Sequence, residues 1–352
     1  MSETAVLDHL RPNVRKMAGY VPGEQPRQGE IVKLNTNENP YPPSPRVLDA
    51  VREVLSGERL RKYPDPSGTH FREVAGRVLG VDPDGIVIGN GSDDVLTILT
   101  RAFVPENGLV VSPSPSYLLY RTLAELQSAQ FMTVPFGPAW DLPSPWPIRG
   151  RSLTYLANPN SPSGTCVSLT SIAQLADEVN GPLVVDEAYA DFAEFNALHL
   201  ARNGRVIVTR TLSKSYSLAG IRFGFAVTTP ELARQLTKVK DSYNCDVLSL
   251  VAAAAALADQ DHVRQTRSKI LVTRDRLEQK LAQFGFEVTP SRANFVWVRR
   301  SDRDVKPIYE ELKRRNVLVR FMKYDDYGDG LRVTVGTDAE IDRLLDELRT
   351  ML

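Results

Sequence analysis

Short apolar runs alternate with amphipathic stretches through most of the chain. Residues 86–88, 109–111, 131–134, 153–157, 183–185, 206–209 and 223–227 each read as a brief strand, bounded by Gly, Pro, Asn or Asp. Between them apolar residues recur at helical spacing. Val47, Ala50, Val51, Val54 and Leu55 form one stripe, and Val95, Ile98, Leu99, Ala102 and Phe103 form another. Further helices are predicted over 71–79, 117–128 and 170–179. Strands too short and too apolar to show one wet face, separated by helices, predict a mainly parallel sheet covered by helices on both sides. In such sheets ligands sit beyond the carboxyl ends of the strands.

The pattern changes twice. Residues 1–45 are rich in proline and asparagine and precede the first amphipathic stripe. From 231 to 284 the chain is mostly helical, with an alanine-rich run at 248–258 that reads as a buried helix. Beyond it, strands at 287–298, 317–321 and 331–335 and helices at 305–315 and from 338 form a small α+β pattern. The expected organisation is an α/β protein in three stretches: an N-terminal arm, 1–45, joined to the small domain; a large domain, 46–260; and a small C-terminal domain, 261–352. The segment 135–150 carries repeated prolines and reads as loop.

Composition narrows the class of function. Basic and acidic residues balance at 43 each, which argues against a protein built on nucleic-acid phosphate. Two cysteines, Cys166 and Cys245, and four scattered histidines form no metal-ligand spacing. The polar N-terminus is not a signal peptide, and the run at 248–258 is too short to span a bilayer. A cytoplasmic protein without membrane or nucleic-acid partners is the expectation.

Three strand-to-loop junctions carry candidate chemistry. GNGSDD (89–94) leads into a helix whose first N–H groups and dipole attract an anion. It reads equally as a capped helix with Ser92 as N-cap and Asp93 and Asp94 favoured in the first turn by the helix dipole; if a phosphate binds, both carboxylates must point away from it. VVDEAY (184–189) sets Asp186 at a strand end, where a carboxylate can keep a ring nitrogen protonated, and Tyr189 nearby as a phenol donor. An acidic turn with a packing tyrosine is the plainer reading. TRTLSKSYSLAGIRFGF (209–225) gathers Thr211, Ser213 and Arg222 as phosphate donors around Lys214, a candidate Schiff-base amine or an ordinary surface lysine. A phosphate cradle, a ring-nitrogen carboxylate, a phenol and such a lysine are together the parts that hold pyridoxal phosphate.

In that order these motifs resemble the fold type I aminotransferases. With LNTNENPYPPSP (34–45), RKYPDPSG (61–68), NPNSPSGT (158–165) and GLRVTVGT (330–337) the resemblance covers nearly the whole chain and is closest to the histidinol-phosphate aminotransferase family. It implies pyridoxal 5′-phosphate as cofactor and a homodimer with shared sites. Lys214 would anchor the cofactor covalently and shuttle the proton, Asp186 would pair with its ring nitrogen, and Tyr189 with its ring oxygen. Tyr117 would stack on the ring, and Ser92, Asp93, Thr211, Ser213 and Arg222 would hold the phosphate. Tyr63 would reach the neighbouring subunit's cofactor. Tyr20 and Asn37 would close over the substrate. Arg332 would clamp one anionic end of it, with Arg320 helping to bind a phosphate or side-chain carboxylate. The family's asparagine before proline is replaced by Ser161, so either Asn160 or Ser161 would contact the ring oxygen. The segment 139–150 is short for the family. The implied reaction exchanges an amino group between L-histidinol phosphate and 2-oxoglutarate in histidine biosynthesis. Aromatic amino-acid transamination, phosphothreonine decarboxylation on a related fold, and a ligand-sensing regulator are the alternatives. The last is disfavoured because the 45 residues before the core show no helix-turn-helix pattern.

Overall fold

The computed structural model describes residues 6–19, 23–25, 30–324 and 327–352. A seven-stranded sheet forms the larger body. Its strands are β2 (Ile86–Gly89), β3 (Leu109–Ser114), β4 (Gln130–Pro135), β5 (Leu153–Ala157), β6 (Leu183–Asp186), β7 (Val206–Thr211) and β8 (Gly224–Val227); β1 is a short strand described below. They lie in the order β2-β8-β7-β6-β5-β3-β4. All neighbours from β7 to β4 are parallel, and β8 runs antiparallel to both β7 and β2.

Alternation across the pleat explains the uniform burial of the central strands. Leu183 and Val185 of β6, and Val206 and Val208 of β7, pack into one core with the helices Thr69–Leu79, Leu169–Glu178 and Val247–Ala258. Val184 and Ile207 face the other side, toward the helices Ser92–Phe103 and Leu119–Leu126. The alanine-rich helix Val247–Ala258 lies against the helices Pro45–Val54 and Thr69–Leu79. Its small residues let these helices approach, so it is buried almost all round.

The smaller body is an antiparallel sheet in the order β12-β13-β10-β9. Its strands are β9 (Glu287–Thr289), β10 (Phe295–Arg299), β12 (Arg320–Tyr324) and β13 (Gly328–Thr334). The apolar stretch 287–298 is thus two strands rather than one, because Pro290 lacks the N–H a continuous ladder needs. The stretch 317–321 also divides. β11 (Val317–Leu318) pairs in parallel with β1 (Val32–Lys33) of the N-terminal arm, and β12 begins after Val319. Leu34 enters the small core beside Val317, Val333 and Leu344. The helix Gln260–Gln283 runs through both bodies, with Val263 in the large core and Ile270, Leu277 and Leu281 in the small one. Among the described residues no helix is long and apolar enough to cross a membrane.

Candidate active site

The carboxyl ends of β5, β6 and β7, the loop after β2 and the segment after β3 converge on one cavity of about 450 Å³, closed on its other side by Asn35–Glu38 of the arm and by Arg320 and Arg332 of the small sheet. Each of these loops follows a strand that the buried core holds rigid, so the polar side chains are positioned by the sheet.

At one end lies an anion cradle. Gly91 is the N-cap of the helix Ser92–Phe103, at φ 84° and ψ 166°. Ser92 therefore stands at the first helical position and does not cap. A Cβ on Gly91 would fall 2.6 Å from Arg222 Nη2, so only glycine lets the guanidinium reach the helix N-terminus. Gly224 matters for the same reason, since its Cβ would lie 2.4 Å from the Ser92 nitrogen. Thr211 Oγ1 donates to Ser213 Oγ at 3.0 Å, and Arg222 Nη1 donates to the same oxygen at 3.3 Å. Hydroxyls, a guanidinium and free first-turn N–H groups form a donor set that fits a phosphate. The two first-turn carboxylates behave differently. Asp94 turns away, accepting from the Asn90 N–H and from Asn244 Nδ2. Asp93 faces the cavity, 3.6 Å from Arg222 Nη2, and accepts from the Tyr117 hydroxyl at 3.2 Å. Of the two carboxylates, Asp93 alone lines the cavity.

Asp186 closes β6 and is buried. Its carboxylate accepts from the Tyr120 hydroxyl at 2.8 Å, from Thr209 Oγ1 at 3.2 Å and from the Ala188 N–H at 3.3 Å. Burial pushes its pKa up to about 6, against the pull of these donors. A cationic ring nitrogen beside it would reverse that rise, which is the complementarity a pyridinium needs. Tyr120 stands one helical turn after Tyr117 and stacks flat on Tyr155, with centroids 4.6 Å apart. Tyr117 stands just ahead of the helix and its ring meets that of Tyr120 edge-on, but the partner carboxylate of Tyr120 lies 66 positions away.

Lys214 is half-buried between these two ends. Its Nζ donates to the Thr36 carbonyl at 3.1 Å and lies 5.8 Å from the Tyr189 ring centroid. Burial and the Arg332 charge bring its pKa down to about 8, with Glu38 and Asp93 opposing. Its neutral, nucleophilic form is therefore accessible near pH 7. Tyr189 accepts from Asn37 Nδ2 at 2.9 Å, and burial raises its pKa, so its hydroxyl keeps its proton.

The third part is cationic. Arg320 and Arg332 are directly paired residues of β12 and β13. Arg332 Nη1 donates to Ser161 Oγ at 2.9 Å and Nη2 to the Asn35 carbonyl at 3.3 Å. Among the described residues its Nε is buried without a hydrogen-bond partner, as is Asn35 Oδ1. Lining cations are Lys214, Arg222, Arg320 and Arg332, and lining carboxylates are Glu38, Asp93 and Asp186. The cavity suits ligands with more than one anionic group. Glu38, held by an ion pair with Lys33, was absent from the sequence-based set.

Two expected residues, Asn160 and Tyr63, are not among those lining the cavity. Asn160 is buried elsewhere: its amide donates to the Pro115 carbonyl and Ser163 Oγ and accepts from Ser116 Oγ. Those bonds hold the loop, and Ser161 is the residue that reaches the cavity. Tyr63 is 80% exposed and stacks on Tyr243 at 4.3 Å, outside this chain's own site. Tyr20 lies outside the described residues.

Residues 29–348 match the family model described as aminotransferase class I and II. The chain is 51% identical over 336 residues to a histidinol-phosphate aminotransferase of Rhodopirellula baltica, covering 94% of this chain and 92% of that one. It is 45% identical to histidinol-phosphate aminotransferase 1 of a Nostoc species, over 99% of both chains. Among solved structures it is similar to histidinol-phosphate aminotransferase from Sinorhizobium meliloti in complex with pyridoxal-5′-phosphate, with a TM-score of 0.86, 26% identity and 98% of each chain covered.

Proposed function

The chain belongs to the class I and II aminotransferases, and from that premise we propose that it exchanges an amino group between L-histidinol phosphate and 2-oxoglutarate, giving imidazole-acetol phosphate and glutamate in histidine biosynthesis. One observation carries the substrate reading. The cavity has two separate cationic ends, Arg222 at the helix N-terminus and the Arg320–Arg332 pair, with Lys214 between them. The first suits a cofactor phosphate, which leaves the second for the anionic end of the substrate. The relatives named above carry the same activity in their names.

Pyridoxal 5′-phosphate is the cofactor of this family, and the donor set described above fits it. When bound, it supplies a carbonyl that links to amines and a cationic ring that accepts the electron pair left as a carbon–hydrogen bond breaks. Ser92, Thr211, Ser213, Arg222 and the first-turn N–H groups, including that of Asp93, would hold its phosphate. Asp186 would hold the ring-nitrogen proton, itself oriented by Tyr120 and Thr209. Tyr189 and Ser161 would meet a ring oxygen, and Tyr117 would cover the ring face. Lys214 would anchor the cofactor and, once released, move the proton at the substrate carbon through Nζ. Arg332 would orient the substrate's phosphate in one half-reaction and a carboxylate in the other, with Arg320 beside it and Asn37 closing over the substrate.

The active unit is a cytoplasmic homodimer with shared sites. Exposed Leu48, Leu55, Leu60, Tyr63 and Tyr243 supply the apolar surface that supports this reading. Pairing a Tyr63→Ala protomer with a Lys214→Ala protomer should restore one intact site per heterodimer. Activity no higher than that of the Tyr63→Ala parent would show that Tyr63 is not shared.

A substrate panel tests the reaction itself. Histidinol phosphate, phenylalanine and phosphothreonine are each mixed with cofactor-loaded enzyme in single turnovers, and keto product and carbon dioxide are measured. Histidinol phosphate should react fastest, without carbon dioxide. Faster reaction with phenylalanine would make this an aromatic aminotransferase, and carbon dioxide from phosphothreonine a decarboxylase.

A further inference from the structure

Beneath the cavity floor lies a buried group of charges that the reaction does not use. Glu187 follows Asp186, Asp191 follows Tyr189 by two residues, Arg210 precedes Thr211, and Ser215 follows Lys214. Every member is thus within two positions of a residue that meets cofactor or substrate. Pleat alternation along β7 turns Thr209 and Thr211 toward the cavity and Arg210 to the opposite face. There Arg210 Nη1 donates to Glu187 Oε2 at 2.9 Å, and Nη2 pairs with Asp191 Oδ1. The other oxygen of Asp191 accepts from Ser215 Oγ, and the other oxygen of Glu187 accepts from the Ala197 N–H. The Ser215 carbonyl accepts from Asn39 Nδ2 at 3.1 Å, which ties the N-terminal arm to the same group.

The arrangement is costly if its purpose is stability alone. Side chains of Arg210 and Glu187 are 7% and 0% exposed. Two carboxylates share one guanidinium, and burial raises the pKa of Glu187. Arg267 donates to the backbone carbonyls of Asp191 and Ala193. Buried ion pairs of this kind often stabilise no better than apolar residues of the same size. What the group does accomplish is geometric. A planar fork with two fixed partners sets the separation of the segment after β6 from the segment after β7.

We propose that Arg210 is a positioning residue for the reaction. Bridging Glu187 and Asp191, and acting through Asp191 on Ser215, it fixes Lys214 relative to Asp186 and hence the lysine relative to the cofactor ring. This deepens the aminotransferase reading of the cavity and rests on it. Displacement of a reacting group by about 1 Å can cost roughly 100-fold in rate, so a loosened Ser215 should be felt at Lys214.

The test uses the cofactor-loaded full chain with Ser215→Ala, Asp191→Asn and Arg210→Lys. Two quantities are read: the pH midpoint of the visible absorbance of the lysine-linked cofactor without substrate, and kcat and KM in each direction. The midpoint should move by about one unit. kcat should fall about 10- to 100-fold while KM values stay near wild type. Ser215→Thr, which restores the hydroxyl, should recover both. Wild-type midpoint and kcat in Ser215→Ala and Asp191→Asn would overturn the proposal even if the melting temperature fell, because a purely structural group would do only that. Ser215→Ala removes one hydroxyl and decides the matter should Arg210→Lys fail to fold. Wild-type protein is run alongside. Its failure to take up cofactor on Lys214 would overturn the reading of the cavity itself, and with it this proposal, which separates the two failures.

Discussion

Tyr120→Phe should disarm Asp186 without touching it. The substitution removes one oxygen and keeps the ring that stacks on Tyr155, so the helix Leu119–Leu126 should pack as before. Burial holds the Asp186 pKa up at about 6, and the Tyr120 hydroxyl is the strongest of the groups drawing it down. A hydrogen bond to a charged acceptor is worth about 1.5–3 kcal/mol. At 1.36 kcal/mol per unit, its loss should lift the Asp186 pKa by roughly one to two units, to about 7–8. Near pH 7 the carboxylate would then pass from mostly ionised to half-protonated or worse. The assay is the pH dependence of binding of pyridoxamine 5′-phosphate, the amine form of the cofactor, which forms no imine with Lys214. Wild-type protein should bind it well while Asp186 is ionised and lose affinity as pH falls through the Asp186 midpoint. In Tyr120→Phe that loss should begin roughly one to two units higher. An unshifted profile, or one displaced downward, would refute the reasoning that Tyr120 sets the charge state of Asp186.

Three further variants probe the same geometry. Asp186→Asn should still bind cofactor but transaminate roughly 10²–10³-fold more slowly. The same variant carries a stability signature. Because the folded Asp186 pKa lies above its ordinary 3.8, the native state holds the extra proton, so the contribution of Asp186 to the stability of cofactor-free protein falls as pH rises from about 4 to 6; the stability of wild type relative to Asp186→Asn, read from thermal melts, should fall across that range. Arg332→Lys keeps the charge but loses the planar fork, and single-turnover kinetics should show both half-reactions weakened by roughly 10- to 150-fold, whereas unchanged rates would remove Arg332 from the substrate site. Gly91→Ala places a methyl against the Arg222 guanidinium at a left-handed φ, so equilibrium binding of pyridoxal phosphate should weaken roughly 10-fold or more while binding of phosphate-free pyridoxal stays near wild type; equal losses for both would show that the cradle does not hold the phosphate.

The central strands were legible because a strand buried on both faces must be apolar throughout, and 153–157, 183–185 and 206–209 are nearly so. The functional motifs were legible for a related reason: each begins where such a strand stops, so the topology carries Asp186, Thr211 and the Gly89–Ser92 turn to the same edge. Contacts made across the sheet leave no such trace. Tyr120 looks like any buried helical tyrosine until β6 places Asp186 beside it. Asn160 and Ser161 are adjacent and both polar, and only the loop's own hydrogen bonds decide which one faces the cavity. Ser92 has a good capping side chain, yet Gly91 caps the helix because Arg222 occupies the space a side chain would need. Arg210 reads as a strand residue of unfavourable type, and its two partners come from segments about 20 positions away.

The claim on which the rest depends is that Lys214 carries the cofactor. Protein loaded with pyridoxal 5′-phosphate, reduced with borohydride and digested, is mapped by mass spectrometry with and without prior exposure to histidinol phosphate. The pyridoxyl mass should sit on the peptide containing Lys214, and exposure to histidinol phosphate before reduction should abolish it. A modified peptide lacking Lys214, or labelling that histidinol phosphate leaves unchanged, would contradict the account.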